Sequence, residues 1–299
     1  RMPLTAQICA VDHATPPSST SNAKTGARKW RGPMSHAITA SVEAAARIVA
    51  DLVAAGKWAD VALEYEELIV RDGRDYATVA RRGVTDWELT TTGITGHSGG
   101  VFGDALGYGA NYELVRILDA FRRELPEPNL TVNVGLMLGG TPATLDPGGA
   151  RGSAAGKTNI VAAEAVARGD MRTFSAAQEA RARAKMQAIV DAHLPKTDAT
   201  LAFDDSYPAM APTAGNRALL ALLNQVNADL GLPAMGEWDP AKRGAADSSF
   251  VAADADVLAG LGAAGTGAHA VGETLDLASI PRQALRSAVL IERLSRTPR

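Results

Sequence analysis

The sequence predicts an α/β protein that carries an inserted α+β subdomain. Between residues 84 and 207 the predicted elements follow the order strand, helix, strand, strand, helix, strand, which is the ferredoxin-like arrangement. On both sides of this segment, amphipathic helices alternate with short apolar strands, as in α/β domains. We therefore expect an irregular arm at 1–40, an α/β domain divided between 41–83 and 208–299, and an inserted lid domain at 84–207.

Composition and charge exclude several classes of protein. The 299 residues carry a net charge of −3, with 46% hydrophobic and 21% charged residues, as in ordinary globular proteins. There is no basic surplus to indicate a nucleic-acid partner, and no apolar run approaches the ~20 residues of a membrane helix. The single cysteine excludes a disulfide framework or a zinc site made of several cysteines. Since no signal peptide is recognisable, we expect a cytoplasmic location.

The first elements of the α/β domain are predicted from periodicity. Apolar residues recur at helical spacing in SVEAAARIVADLVAAGK (41–57), and Gly56 is a helix stop signal. A buried strand with an acidic second half is predicted for ADVALEYEELIV (59–70). On such a strand, Glu64 and Glu66 would point to the same side.

Six further elements make up the predicted lid domain. The strands are expected at 87–94, 130–140, 159–174 and 199–207, and the helices at 111–125 and 175–194. The second helix begins with a capping box, in which Ser175 is the N-cap and Gln178 follows three residues later. A Gly/Pro-rich loop is expected at 140–157.

The remaining residues return to the α/β pattern. A helix is predicted at 216–232 and ends at Gly231. Glycine turns then alternate with short apolar segments over 243–269, which is typical of a sheet with functional loops. An amphipathic helix at 279–294 closes the chain.

Two segments carry candidate metal ligands. His269 follows the glycine-dense loop of GLGAAGTGAHAVGETLDL (260–277), where an imidazole could bind a metal or polarise a carbonyl, or could simply be exposed. Three carboxylates, Glu64, Glu66 and Glu67, follow an apolar run. Zinc accepts carboxylate oxygens, although an acidic cluster is more often a solvated strand end.

Two other segments carry candidate substrate-binding groups. His97 lies in the turn TTGITGHSGG (91–100), where it could stabilise an oxyanion or be an ordinary turn histidine. Arg172, near a helix N-terminus in GDMRTFS (169–175), could hold a carboxylate through two parallel bonds or form a surface ion pair. Asn159 is predicted to open the same strand and could add an amide contact.

Taken in order, these segments resemble the M20 family of metallopeptidases, the group of glutamate carboxypeptidase, acetylornithine deacetylase and succinyl-diaminopimelate desuccinylase. The resemblance covers residues 57–296 and is closest to the carboxypeptidase-type members. Its motifs are ADVALEYE, the G-x-x-x-H-S turn of TTGITGHSGG, the strand from an asparagine to a D-x-R in NIVAAEAVARGDMRTFS, the loop RGAADSSF, and the final G-x-H-x-x-x-E. In the RGAADSSF loop, alanine replaces the second glycine of the family pattern.

The resemblance implies a hydrolase with two zinc ions, acting on an amide bond next to a free carboxylate in a small peptide or N-acyl amino acid. By position, Glu66 and His269 would each bind a metal ion. The chain would form a homodimer through the lid domain, and His97 would stabilise the oxyanion in the partner's active site. The substrate would be held by Arg172 and Asn159, and the site lined by Asp247 and Ser248.

The chain departs from the family upstream of Glu66. The family's H-x-D segment, bridging aspartate and Glu–Glu pair, which includes the catalytic base, have no convincing match. We therefore expect a partial M20-type core, truncated in its N-terminal half and with little or no turnover. A non-catalytic dimerisation or ligand-binding protein is the alternative. A third hypothesis is a complete enzyme in which Asp12, His13 and His36 supply new ligands.

Overall fold

The computed structural model of the protein describes residues 34–268 and 270–296, with side chains from residue 44 onward. The helices are α1 (Met34–Gly56), α2 (Ala110–Glu124), α3 (Ala176–Asp191), α4 (Ala214–Asp229) and α5 (Ser279–Arg296). The strands are β1 (Val61–Leu63), β2 (Ile69–Arg71), β3 (Arg74–Ala77), β4 (Gly83–Gly93), β5 (Thr131–Val132), β6 (Leu136–Gly140), β7 (Ala143–Leu145), β8 (Gly152–Ala154), β9 (Glu164–Thr173), β10 (Thr197–Tyr207), β11 (Gly236–Glu237), β12 (Asp256–Leu258), β13 (Gly265–Thr266) and β14 (Thr274–Leu275).

Two compact units divide this part of the chain. The first unit contains residues 34–77, 218–237 and 254–296, and the second contains 78–217 and 238–253. The second unit therefore interrupts the first along the sequence, as expected for an inserted domain. Among the described residues, no helix is long and apolar enough to cross a membrane. The expectation of a mixed α/β fold with an inserted domain is confirmed.

The second unit has the ferredoxin-like arrangement that the sequence predicts. Its antiparallel sheet has the strand order β10–β4–β9–β5, and β6 also pairs with β9. Residues alternate along β4, so that Trp87 and Leu89 are buried in a core shared with α2 and α3. The ring of Trp87 meets that of Phe121 edge-on at 6.0 Å. The predicted capping box is present, since Gln178 N–H donates to Ser175 Oγ at 3.2 Å.

The first unit combines small sheets with helices. Strand β1 pairs in parallel with β12, β3 pairs with both β2 and β11, and β13 and β14 form a hairpin. Helix α4 is followed by Gly231 at a φ of 67°, and Leu232 N–H donates to Asn227 O, as predicted for a glycine helix stop. Helix α5 places the buried Arg286 against Asn227, with an Nε–Oδ1 distance of 2.7 Å.

One predicted strand is wrong in a way that matters for the site. The segment 59–70 is not a continuous strand, because β1 ends at Leu63 and β2 begins at Ile69. Glu64 and Glu66 lie in the irregular backbone between them, so the argument that they share a strand face does not apply. Glu64 is 2% exposed, whereas Glu66 is exposed. Glutamate has a low preference for strands, which accounts for the interruption.

Other element boundaries also differ from the prediction. Helix α1 begins at Met34, so residues 34–40 are helical instead of irregular. The strand predicted at 130–140 is divided into β5 and β6. The predicted loop at 140–157 contains the hairpin β7–β8, and the strand predicted from Asn159 begins only at Glu164. Short glycine- and alanine-rich strands such as β8, Gly152–Ala154, lack the apolar alternation from which a strand is recognised.

Candidate functional site

His97 and Asn159 lie together at one end of the second unit. His97 precedes a short 3₁₀ helix, Ser98–Gly100, and pairs with Ile160 in an isolated antiparallel bridge. Next to this bridge, the N–H of Ser98 donates to the carbonyl oxygen of Asn159 at 2.9 Å. Both His97 and Asn159 are exposed. The structure therefore brings together two residues that are 62 positions apart in the printed sequence.

The hydrogen bonding of His97 indicates what its ring can do. Its Nδ1 accepts a hydrogen bond from Gly99 N–H at 3.1 Å. A nitrogen that accepts carries no proton, so the neutral ring has its proton on Nε2. That N–H can donate to an external acceptor, which is the role of an oxyanion-stabilising group.

Arg172 lies at the opposite end of the same sheet. It is the second-last residue of β9, and it pairs with Val84 near the start of β4. Its Nε donates to Asp170 Oδ2 at 2.6 Å, so a surface ion pair, one of the two interpretations of this arginine, is present. The guanidinium makes no other hydrogen bond to the described residues, which leaves its terminal nitrogens for a second carboxylate.

The separation of these two groups limits what one copy of the chain can bind. Residues 164–172 of β9 alone span about 26 Å at the rise of an extended strand. Asn159 precedes the start of β9 in the chain. Its neighbour Ile160 pairs with His97, which follows the far end of β4. A dipeptide is only about 7 Å long. One small substrate therefore does not contact both Asn159 and Arg172 of the same copy.

Asp247 and Ser248 lie in a 3₁₀ helix, Asp247–Phe250, of the second unit. Ser248 is buried, with its Oγ 3.9 Å from Met210 Sδ, and Asp247 is half-buried. The ring of Phe250 lies 5.1 Å from that of Tyr207. The lining role of Asp247 and Ser248 stays a prediction.

The loop with Glu64 and Glu66 runs beside the segment that leads toward His269. Gly262 N–H donates to Glu66 O at 2.8 Å, and Leu68 N–H donates to Ala263 O at 3.1 Å. A Cβ at Gly262 would lie 2.3 Å from Tyr65 O, so this close approach needs a glycine. Two of the motifs that carry the resemblance are thus adjacent in the first unit.

The predicted metal site is only partly within the described residues. Glu66 is described, but His269 lies outside, as do Asp12 and His13 and the side chain of His36. Within the described part of the chain, no three His, Cys, Asp or Glu residues come together to hold a metal. The described residues therefore do not by themselves fit a zinc pair, and the zinc ligands stay a prediction.

The structure also groups basic residues that the sequence analysis did not identify. A cleft of about 470 Å³ in the second unit is lined by Arg82, Thr131, Asp170, Arg172, Ala241, Lys242, Arg243 and Gly244. Two arginines anchor one wall of the cleft: Arg82 Nη2 donates to Ala241 O at 3.1 Å, and Arg81 Nη1 to Gly244 O at 3.0 Å. The pairs Arg81–Arg82 and Lys242–Arg243 are visible in the sequence, but only the fold shows that they converge.

Comparison with known proteins identifies the inserted domain. Residues 79–198 match the family model of the peptidase dimerisation domain of the M20 family. No protein of curated function matches the chain.

Two solved structures are similar in fold. A tripeptidase from Staphylococcus aureus subsp. aureus mu50 has a TM-score of 0.57 and 16% identity, over 80% of this chain and 58% of that one. Aminopeptidase PepT from Bacillus cereus ATCC 10987 has a TM-score of 0.58 and 16% identity, over 82% of this chain and 61% of that one. The chain thus spans about three fifths of the length of each.

These findings place the second unit among inserted dimerisation domains with a ferredoxin-like fold. More particularly, residues 79–198 match the dimerisation domain of M20 peptidases, so the resemblance to that family is confirmed for this domain.

Proposed function

We propose that the protein is a zinc-dependent hydrolase of the M20 type, which acts on an amide bond next to a free carboxylate. The substrate would be a small peptide or an N-acyl amino acid. The observation that carries this proposal is the placement of His97 and Asn159 at one end of a dimerisation domain and Arg172 at the other. Each of these residues has the hydrogen-bonding capacity that its role in the resemblance requires.

The same observation supports a site shared between two copies of the chain. Because one small substrate does not contact both ends of one sheet, Arg172 of one copy would act with His97 and Asn159 of the other. Arg172 would hold the free carboxylate. Asn159 would contact the substrate backbone, and His97 would donate from Nε2 to the oxyanion that forms at the scissile carbonyl.

The exposed apolar residues of the second unit support a homodimer. Among the described residues of this unit, every large exposed hydrophobic residue lies on α2, near β5 and β6, or in the segments beside His97. They are Ile94, Phe102, Tyr112, Val115, Val134, Met137 and Ile160. Two apolar grooves, of about 420 and 220 Å³, run along the same surface. We infer that a second copy covers this surface, since β5 and β6 also lie at an edge of the sheet.

For the metal, Glu66 and His269 are the proposed zinc ligands of this chain. The sequence offers no convincing H-x-D segment, bridging aspartate or Glu–Glu pair, and so we expect little or no turnover from this chain alone. The missing N-terminal ligands favour the second candidate function, a non-catalytic dimerisation or ligand-binding protein, whereas the presence of Glu66 and His269 counts against it.

Zinc binding distinguishes the two candidates. We expect the purified chain to bind fewer than two zinc ions, which is the number in a complete co-catalytic pair. Competition with a chromophoric chelator measures the number of ions bound per chain and their affinity. Both His269→Ala and Glu66→Gln should weaken this binding at least tenfold, and Asp51→Asn, at an exposed position on α1, is the matched control. If the chain binds no zinc and has no deacylase or peptidase activity, the catalytic proposal fails for this chain. The catalytic proposal also fails if neither His269→Ala nor Glu66→Gln changes zinc binding.

A further inference from the structure

Three aromatic rings form a cluster on the segment that follows His97, and we call this cluster the aromatic ledge (Phe102, Tyr108 and Tyr112). The ring of Phe102 lies 5.1 Å from that of Tyr108 and 5.2 Å from that of Tyr112. The two tyrosine rings meet nearly edge-on at 6.5 Å. Tyr108 is half-buried, whereas Phe102 is 55% exposed and Tyr112 is 52% exposed. The aromatic ledge therefore presents two of its rings at the surface of the second unit.

The backbone holds the ring of Phe102 in this exposed position. Phe102 has a φ of 70°, in the left-handed region that is unfavourable for a residue with a bulky side chain. Its N–H donates to Gly107 O at 2.7 Å, and Tyr108 N–H donates to Pro195 O at 3.4 Å. Backbone strain of this kind clusters at sites where a side chain contacts a ligand. The strain at Phe102 therefore points to binding by its exposed ring.

Hydrogen bonds place the aromatic ledge at the same end of the second unit as His97. The N–H of Ala110, at the start of α2, donates to Ala162 O at 3.0 Å. The preceding residue, Val161, donates its N–H to Gly96 O at 2.9 Å. These two bonds join the loop of His97 to the start of α2, which carries the aromatic ledge. The imidazole and the exposed rings therefore share one end of the sheet.

We propose that the aromatic ledge binds a large apolar or aromatic acyl group of the substrate. The inference rests on the proposed function, in which His97 donates to the oxyanion that forms at the scissile carbonyl. That carbonyl belongs to the acyl group, so the rest of the acyl group lies on the same side of the substrate as His97. Aromatic rings bind one another through edge-on and offset contacts and bury a large apolar area. The substrate class is thereby narrowed to one with a large apolar acyl group.

The aromatic ledge also belongs to the surface proposed for dimerisation. A site shared between two copies lies at their interface, so rings beside His97 contact the second copy and the ligand together. A ring that contacted only the second copy would have no effect on which acyl group is preferred. The dependence of binding on the acyl group therefore separates the two roles.

Ligands that differ only in their acyl group test this inference without any need for turnover. By isothermal titration calorimetry on the full-length chain, N-benzoyl-L-alanine should bind at least about tenfold more tightly than N-acetyl-L-alanine. Phe102→Asn removes the ring, and asparagine tolerates the positive φ. This variant should reduce the preference to about threefold or less and leave the binding of N-acetyl-L-alanine nearly unchanged. Trp58→Ala, which removes an exposed aromatic ring of the first unit, is the control and should change neither affinity.

Four results would overturn the inference. If N-acetyl-L-alanine binds and N-benzoyl-L-alanine binds no more tightly, only the present inference is wrong. The inference is also wrong if the preference survives in Phe102→Asn. If sedimentation velocity shows that Phe102→Asn is monomeric and both ligands are weakened equally, the ring serves only the contact between copies. If neither ligand binds the unmodified chain, the shared site of the proposed function is absent, and the inference fails with it.

Discussion

The backbone N–H of Ser98 donates a hydrogen bond to the carbonyl oxygen of Asn159, 2.9 Å away. This bond joins the loop that carries His97 to the turn that carries Asn159, and it fixes both at one end of the dimerisation domain. Arg172 is at the other end of the same sheet, near the start of β4. A substrate that needs all three residues therefore requires two copies of the chain.

The surface proposed for dimerisation can be tested with a charge on one edge strand. Met137 on β6 is 51% exposed beside an apolar groove, and Met137→Glu should shift the chain from dimer to monomer. Buried unpaired charge would weaken the dimer by about two orders of magnitude or more in Kd. Sedimentation velocity measures the shift. The matched control is Thr200→Glu, at an exposed position on β10, the opposite edge strand. If both changes have equal effects, or if Met137→Glu has no effect, the dimerisation surface is not at β6.

The glycine between the two candidate metal-site segments should be essential for local packing. Gly262→Ala would place a Cβ 2.3 Å from Tyr65 O and 2.4 Å from Glu66 O, so the loop with Glu66 must move. We expect a loss of about 1–3 kcal/mol in the free energy of unfolding, measured in urea, and weaker zinc binding. Gly148→Ala has no atom within 4 Å of the added carbon and should leave both measurements unchanged. Equal stability of the two variants would show that the loop is not held by this contact.

A buried glutamate, Glu113, joins the start of α2 to the loop between α3 and β10. The side chain of Glu113 is fully buried, pairs with Arg116 at 2.6 Å and accepts a hydrogen bond from Leu194 N–H at 3.0 Å. Glu113→Gln should lower the free energy of unfolding by about 1.5–3 kcal/mol, because it weakens hydrogen bonds to a charged group. Asp119→Asn, in an exposed pair with Arg122 and Arg123, is the control and should have a much smaller effect.

Glu113 also predicts how stability depends on pH. Burial alone would raise the pKa of Glu113, but hydrogen bonds from Arg116 and Leu194 outweigh it, and the net pKa lies below the ordinary value of 4.5. A lowered pKa in the folded state means that this stabilisation is complete above pH 4.5 and is lost as the pH falls through the folded pKa. Urea unfolding at a series of pH values should show a smaller acid loss for Glu113→Gln than for the unmodified chain. The same acid dependence in both proteins would assign it to other carboxylates.

The sequence predicts the lid domain well and the candidate site less well. Helix α2 and the strands β4 and β10 have clear apolar periodicity, and α3 begins with a capping box, so their positions and order follow from local pattern. Glu64 and Glu66 were misplaced because an apolar run beside acidic residues does not show where a strand ends. The convergence of Arg82 with Lys242 depends on contacts between residues about 160 positions apart, which no local pattern contains.

The most direct test of the shared site is ligand binding to a mixture of two variants. Arg172→Ala and Asn159→Ala should each abolish tight binding of N-acetyl-L-alanine, measured by calorimetry as sites per chain. After equal mixing and exchange of subunits, half of the dimers carry one copy of each variant, and one of their two sites then has both residues. Tight binding should therefore return at about a quarter of all sites. No recovery in the mixture would contradict it, since Arg172 and Asn159 would then have to act from the same copy.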